Sequence, residues 1–325
     1  MQSQDTTPGL VAEFSMQLRI LLALTAVASA STKLFEYNGS GDLTAPLEEQ
    51  FRYLDSLYDE DTGKRIPQAR NGVMCRTAEG LVVGCSPSQS TFSPSIPGAQ
   101  FVLGARPLFP VQPGSLAIEV ASSVHIYGVE NHPFGDKVKD PHTDTRLACS
   151  TIAVIASGRM FFSFTFTNEM IYASVLKGST KSAPSALQYL IPLIATKAGV
   201  MHKVKFIFND DLKRIDWLVD EQSLFSWQQD TVIDKKYLIE QIGEDAVLKF
   251  PTNEVVVATG IFTFWNDFLP LEGEPKEHTA VLDPATPEPN FCLSEQAQNA
   301  AKSIFKDWSP EVILTIKNIT VTREY

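Results

Sequence analysis

Apolar and polar residues alternate through much of this chain, and that period of two limits what it can fold into. Residues 203 to 208 read Lys203, Val204, Lys205, Phe206, Ile207, Phe208, and residues 215 to 220 read Ile215, Asp216, Trp217, Leu218, Val219, Asp220, with an acidic turn between. Successive side chains of a strand point to opposite faces, so such segments make strands with one face buried. The same reading holds for 115 to 129, for two runs within 150 to 176 broken at Ser157-Gly158, for a strand or pair at 254 to 265, and for a last strand at 311 to 325. Aromatic and β-branched residues dominate these runs, as pleated surfaces prefer. Many strands separated by turns predict an all-β antiparallel sandwich.

Short helices are expected only at its periphery. Residues 294 to 308 are the best candidate, with Ser294 as cap and Ala297, Ala300, Ala301 and Phe305 on one face. Residues 46 to 60 suit either a short helix or a strand. Residues 266 to 290, rich in Pro and Glu, predict a long surface loop.

The start of the chain carries a different signal. From Met16 it has Arg19, an apolar run over 20 to 27, and the triplet Ala28-Ser29-Ala30. That is the pattern of a secretory signal peptide cleaved after Ala30. The run is too short to span a bilayer, and no longer one follows. The polar residues 1 to 15 do not belong before such a signal, so translation is expected to start at Met16. Residues 31 to 325 then form a single sandwich domain, secreted or held in the lumen of an organelle.

Four cysteines fit an oxidising route. Cys75 and Cys85 flank a short loop and are expected to form a disulfide. Cys149 and Cys292 are candidates for a second bridge, although four cysteines allow three pairings. Asn38 and Asn318 each begin an N-glycan acceptor triplet. A net charge of -11 with no Lys/Arg run argues against nucleic acid as partner.

The stretch from His202 to Asp220 resembles the strand pair of concanavalin A-like jelly rolls, and laminarinase-type glycosidases in particular. In that family a His-led alternating strand is followed by Trp-x-Val-Asp-Gly. Here the match is His202 through Phe208, then Trp217, Val219 and Asp220, with Glu221 where the family has Gly. The segment 317 to 325 looks like that class's closing strand. The resemblance implies a jelly roll, and it implies a catalytic strand reading Glu-x-Asp-x-x-Glu. The corresponding segment, 159 to 175, offers only Glu169. One carboxylate cannot serve as both nucleophile and acid. The chain is also similar to secreted fungal proteins with this sandwich, some of them associated with secondary-metabolite gene clusters.

Candidate site residues follow. The segment 130 to 146 gathers Glu130, His132, Asp136, Asp140, His142, Asp144 and Arg146, as a loop over the sandwich mouth or a plain solvated loop. A calcium site from Asp136, Asp140 and Asp144 is chemically conceivable, but the segment lacks a recognisable calcium-loop pattern, and no metal is assigned. Asn168, Glu169 and Tyr172 follow a very apolar strand and can face a cleft. Trp217 and Trp227 are candidates for stacking on a ligand and suit a core equally. No Gly-x-Ser-x-Gly elbow, Gly-x-Gly-x-x-Gly or phosphate loop appears, so no nucleotide cofactor is expected.

Two functions lead, with a glycosidase that uses unfamiliar residues as a residual third. One is a cofactor-free enzyme that holds a hydrophobic intermediate and guides cyclisation, isomerisation or a Diels-Alder-type cycloaddition. Its donors are Arg146, Tyr172 and His202, with Glu169 or Asp144 as base. The other is a lectin-like protein that binds a glycan without turnover. The partner is then a small organic molecule or a glycan.

Overall fold

A computed structural model of the chain describes residues 31–39, 51–53, 73–85, 100–132, 136, 138–158, 160–178, 185–243, 247–262 and 310–325. These form two antiparallel sheets. The first holds β1 (Ser31–Asn38), β3 (Val73–Thr77), β4 (Gly80–Cys85), β7 (Ser115–Tyr127), β12 (His202–Asn209), β13 (Arg214–Val219), β14 (Gln222–Gln228) and β17 (Glu311–Glu324). The second holds β2 (Phe51–Tyr53), β5 (Gln100–Ala105), β6 (Phe109–Pro110), β8 (Cys149–Ala156), β9 (Met160–Phe166), β10 (Met170–Lys177), β11 (Ala186–Ala195), β15 (Leu238–Ile242) and β16 (Glu254–Phe262). Strand order is β14-β13-β12-β7-β17-β4-β3 in the first sheet and β15-β11-β10-β9-β8-β16-β5-β2 in the second. The molecule is the expected β-sandwich. Among the described residues, helical structure amounts to single 3-10 turns such as Val129–Asn131 and Lys235–Tyr237.

Alternation decides which side chains fill the space between the sheets. In β12, Val204, Phe206 and Phe208 are fully buried while Lys203 is exposed. In β9, Phe162, Phe164 and Phe166 point the same way. Phe164 meets Phe206 at 4.6 Å between centroids, and Phe162 meets Phe208 at 5.8 Å. Trp217 and Trp227 join this cluster, 6.3 and 6.1 Å from Phe162. Burying each such ring contributes about 1.5–3 kcal/mol, and each aromatic pair adds about 0.5–1.5 kcal/mol.

Two segments hold one more strand than the sequence reading predicts. Residues 150 to 176 make three strands, because the chain also reverses between Thr167 and Met170. Thr167 N–H donates to Met170 O at 3.0 Å, and Met170 N–H donates to Thr167 Oγ1 at 3.1 Å. Likewise β14 follows β13 directly. Asp220 and Glu221 have φ of 49° and 67°, the two left-handed positions of a tight hairpin. Glu221 therefore adopts the conformation for which the resembling family uses Gly.

The closing strand β17 is paired along its whole length with β7 on one side. On its other side β4 pairs with Val312 to Ile316 and β1 with Asn318 to Glu324. Where one partner gives way to the other, backbone crowds backbone. A Cβ on Gly39 or on Gly80 would stand 2.4 Å from Ile316 O, so both positions need glycine.

In the β3–β4 hairpin Cys75 lies opposite Val82, and Cys85 lies opposite Val312 of β17; the side chains of both, and so the bridge expected between them, lie outside the described residues. Among the described residues Cys149 is a buried free thiol. Cys292, the signal peptide and leader at 1 to 30, the loop at 266 to 290 and the helix at 294 to 308 lie outside the described residues. Asn38 and Asn318 stand opposite each other on β1 and β17; Asn38 is exposed, whereas the Oδ1 of Asn318 is buried without a partner.

Candidate functional site

The second sheet has a face turned away from the aromatic core, and its composition is unusual. Pairing register lays the outward residues in rows across β11, β10, β9, β8 and β16. One row reads Pro192, Tyr172, Thr165, Thr151, Gly260. The next reads Leu190, Ser174, Ser163, Ala153, Ala258. The third reads Gln188, Leu176, Phe161, Ile155, Val256. Two rows are thus small and hydroxyl-rich, and the third is apolar. Outward residues of a sandwich are ordinarily solvated, yet Thr165, Ser163, Ser174, Ala153, Leu176 and Gln188 are all buried. Gln188 keeps its Oε1 buried with no hydrogen-bond partner, which leaves an amide acceptor unsatisfied at one end of the face.

The other end is rimmed by the connection from β7 to β8. Tyr172 donates its hydroxyl to Thr143 O at 2.9 Å. Asp144 accepts from Arg146 N–H at 3.0 Å and Nε at 2.9 Å, and its Oδ2 lies 2.6 Å from the second guanidinium nitrogen. This is a fork-to-carboxylate pair closed within two residues. Arg146 remains partly exposed while the Asp144 side chain is mostly covered. Burial pushes the Tyr172 phenol above its usual pKa, and the charges of Asp144 and Asp140 push it the same way. Tyr172 therefore keeps its proton at neutral pH and serves as a donor, not a base. The Cys149 thiol is pushed up strongly by burial, with Asp144 adding to the effect.

The remaining candidates serve other purposes. Asn168 is a pin between the sheets. It accepts Ile126 N–H at 2.8 Å and donates to Ile126 O at 2.7 Å, with His142 Nδ1 3.3 Å from its amide nitrogen. Glu169 is exposed at the hairpin turn, outside the three rows, where its backbone bonds His142 and Thr196. Trp217, at 0% exposure, and Trp227, at 2%, belong to the core and offer no platform to a ligand. Trp217 Nε1 donates to Ser163 O at 3.2 Å. His202 belongs to the first sheet and faces inward, away from Tyr172 and Arg146. Asp140 and Asp144 hold the turns of their own loop, and among the described residues no three His, Cys, Asp or Glu side chains converge on a possible metal position.

Of the expected donors, Arg146 and Tyr172 come together at this rim, with Asp144, one of the two expected bases. Thr151, Ser163, Thr165, Ser174 and Gln188 were not singled out from sequence. Their signal was present in 161 to 166, where Ser163 and Thr165 alternate with phenylalanines.

A family model described as "Family of unknown function (DUF6081)" matches residues 69–324. The chain belongs to that family. Among curated proteins nothing matches. Solved structures similar to DUF6081's member here include a laminarinase from Flavobacterium sp. UMI-01, 11% identical, with a TM-score of 0.46 over 89% of this chain and 99% of that one. The catalytic domain of an endo-1,3-beta-glucanase (laminarinase) from Thermotoga petrophila RKU-1 is 9% identical, with a TM-score of 0.46 over 91% and 99%. A Bacillus licheniformis beta-glucanase is 10% identical, with a TM-score of 0.43 over 88% and 96%. At this distance the likeness carries nothing about activity.

Proposed function

We propose that the outward face of the second sheet binds a partly apolar organic molecule bearing hydroxyl or carbonyl groups, and that the protein guides its cyclisation, isomerisation or cycloaddition. The observation that carries this reading is the composition of the three rows. Hydroxyls from Thr151, Thr165, Ser163 and Ser174 adjoin an apolar row of Leu176, Phe161, Ile155 and Val256. Such a surface suits a molecule with one polar and one greasy side. Among the described residues of these rows none is Asp or Glu, and Asp144 is bound to Arg146. Hydrolysis by paired carboxylates has no support there. Orientation, the hydroxyl rows and the Arg146 guanidinium are what the face has to offer. The signal at 16 to 30 and the acceptor triplets support a secretory route, and no helix among the described residues is long and apolar enough to cross a membrane.

Glycan binding without turnover is the second reading, favoured by the hydroxyl rows alone. One experiment separates the two. The metabolites of the source organism are compared with and without the gene, and the purified protein is then incubated with whatever precursor accumulates. Conversion to a product of equal or summed mass, reduced at least about tenfold in Ser163→Phe, supports the proposal, because a ring there fills the floor of the face. An unchanged metabolite profile, together with saturable binding to a laminarin oligosaccharide, would replace it with the glycan reading.

A further inference from the structure

We propose that Thr196, His202 and Asp220 form a second, acyl-transfer site at the end of the sandwich, acting on esters with an apolar acyl group. Thr196 Oγ1 lies 2.6 Å from His202 Nε2, and His202 Nδ1 lies 2.7 Å from Asp220 Oδ2. These are a nucleophile, a base and an orienting carboxylate in hydrogen-bonding sequence. The roles follow from the donor inventory. The Asp220 carboxylate can only accept, so Nδ1 carries the proton. The neutral ring then leaves Nε2 as acceptor, and the Thr196 hydroxyl must donate to it.

Each member is held in place. Asp220 Oδ1 accepts Lys203 N–H at 2.9 Å, and Asp220 N–H donates to Lys203 O at 2.8 Å. Partial burial pushes the Asp220 carboxyl up, but the bonds from Lys203 and His202 and their charges outweigh it, so its pKa lies below the usual value. Asp220 is therefore ionised at neutral pH. Thr196 donates its N–H to Glu169 O at 2.9 Å. His202 is 9% exposed, which shields the base from water. The connection beside it is open: Ala195 and residues 197 to 201 are exposed, and Val200 and Met201 present apolar surface there. That surface is what an acyl chain would lie on.

The reaction balances without a co-reactant beyond water. Thr196 Oγ1 adds to the ester carbonyl carbon while its proton passes to His202 Nε2. Collapse breaks the bond to the alkoxy oxygen, which takes that proton and leaves as the alcohol. Water then adds to the acyl-threonine by the same route, the acid leaves, and Thr196 recovers its proton. Thr196 and His202 are the catalytic residues, and Asp220 is a positioning residue.

The test uses the full chain with an alkyl fluorophosphonate and with p-nitrophenyl butyrate. Labelling breaks the P–F bond, forms a P–O bond to Thr196 and releases HF. The expected result is one phosphonyl group on the peptide containing Thr196, with butyrate hydrolysis lost in parallel. Thr196→Ser retains labelling, and Asp220→Asn slows it by about 100-fold or more because the imidazole tautomer is no longer set. Unlabelled Thr196 in protein with an intact melting transition would overturn the proposal and leave the relay as a fastening between loop and strand. So would butyrate hydrolysis that survives in Thr196→Val.

Discussion

Cys149 shows how strongly one residue's surroundings can override its type. It begins β8, is fully buried, and has Asp144 nearby, so its thiol is held far above the usual range, by burial first and by that charge second. The thiolate is the reactive form, and little of it exists in the native state at pH 8. Native protein is therefore expected to leave Cys149 unmodified by iodoacetamide over hours, and to modify it promptly in denaturant. Peptide mass spectrometry on the two samples checks this. Rapid labelling of the native thiol would contradict the burial described here. From sequence the same residue was a candidate for a disulfide, argued from compartment and count, and neither reports which face of a strand a cysteine occupies. The tryptophans were more readable. Trp217 shares a strand face with Ile215 and Val219, and that parity alone puts it in the core.

At the level of elements, the hairpin turn between β9 and β10 matters more than its length suggests. Asn168 reaches from it to both backbone groups of Ile126 in β7, so one side chain links the two sheets. Truncating it leaves a buried N–H and C=O without partners. Asn168→Ala is expected to cost about 1–3 kcal/mol in urea unfolding, with faster hydrogen exchange at the Ile126 amide. A change within experimental error would mean that water takes over both bonds. The strands themselves were largely legible, since alternation marks β7, β12, β13, β16 and β17 directly. The turn at Asn168 was not. It interrupts a stretch so apolar on both sides that no loss of hydrophobicity announces it. The Thr196–His202–Asp220 contact was beyond reach for a related reason. It joins residues 6 and 18 positions apart, across a connection and a tight hairpin whose geometry alternation does not encode.

For the molecule as a whole, the amino-terminal signal read from the sequence sets the start of the mature chain. Cleavage after Ala30 would make Ser31 its first residue. Protein recovered from culture medium is expected to begin at Ser31 by N-terminal sequencing. A start several residues later would remove part of β1 from its pairing with β17. The candidate site was legible in part. Asp144, Arg146 and Tyr172 were named from sequence and do share a rim, but the face they border emerged only from the order of strands. Alternation says that Ser163 and Thr165 oppose the phenylalanines; only the topology says which strands lie beside them.

The pairing of β1 with β17 sets Ser31 directly across from Glu324, so the first and last strands end side by side. A domain whose first and last strands adjoin tolerates circular permutation. A short linker from Tyr325 to Ser31, with new termini opened at the exposed Ser157-Gly158 turn, would keep every pairing of both sheets while moving the cut to the opposite end from the Thr196 connection. The same adjacency means that reporters fused to the two ends would report on one another, and their separation would read out fraying of this single seam.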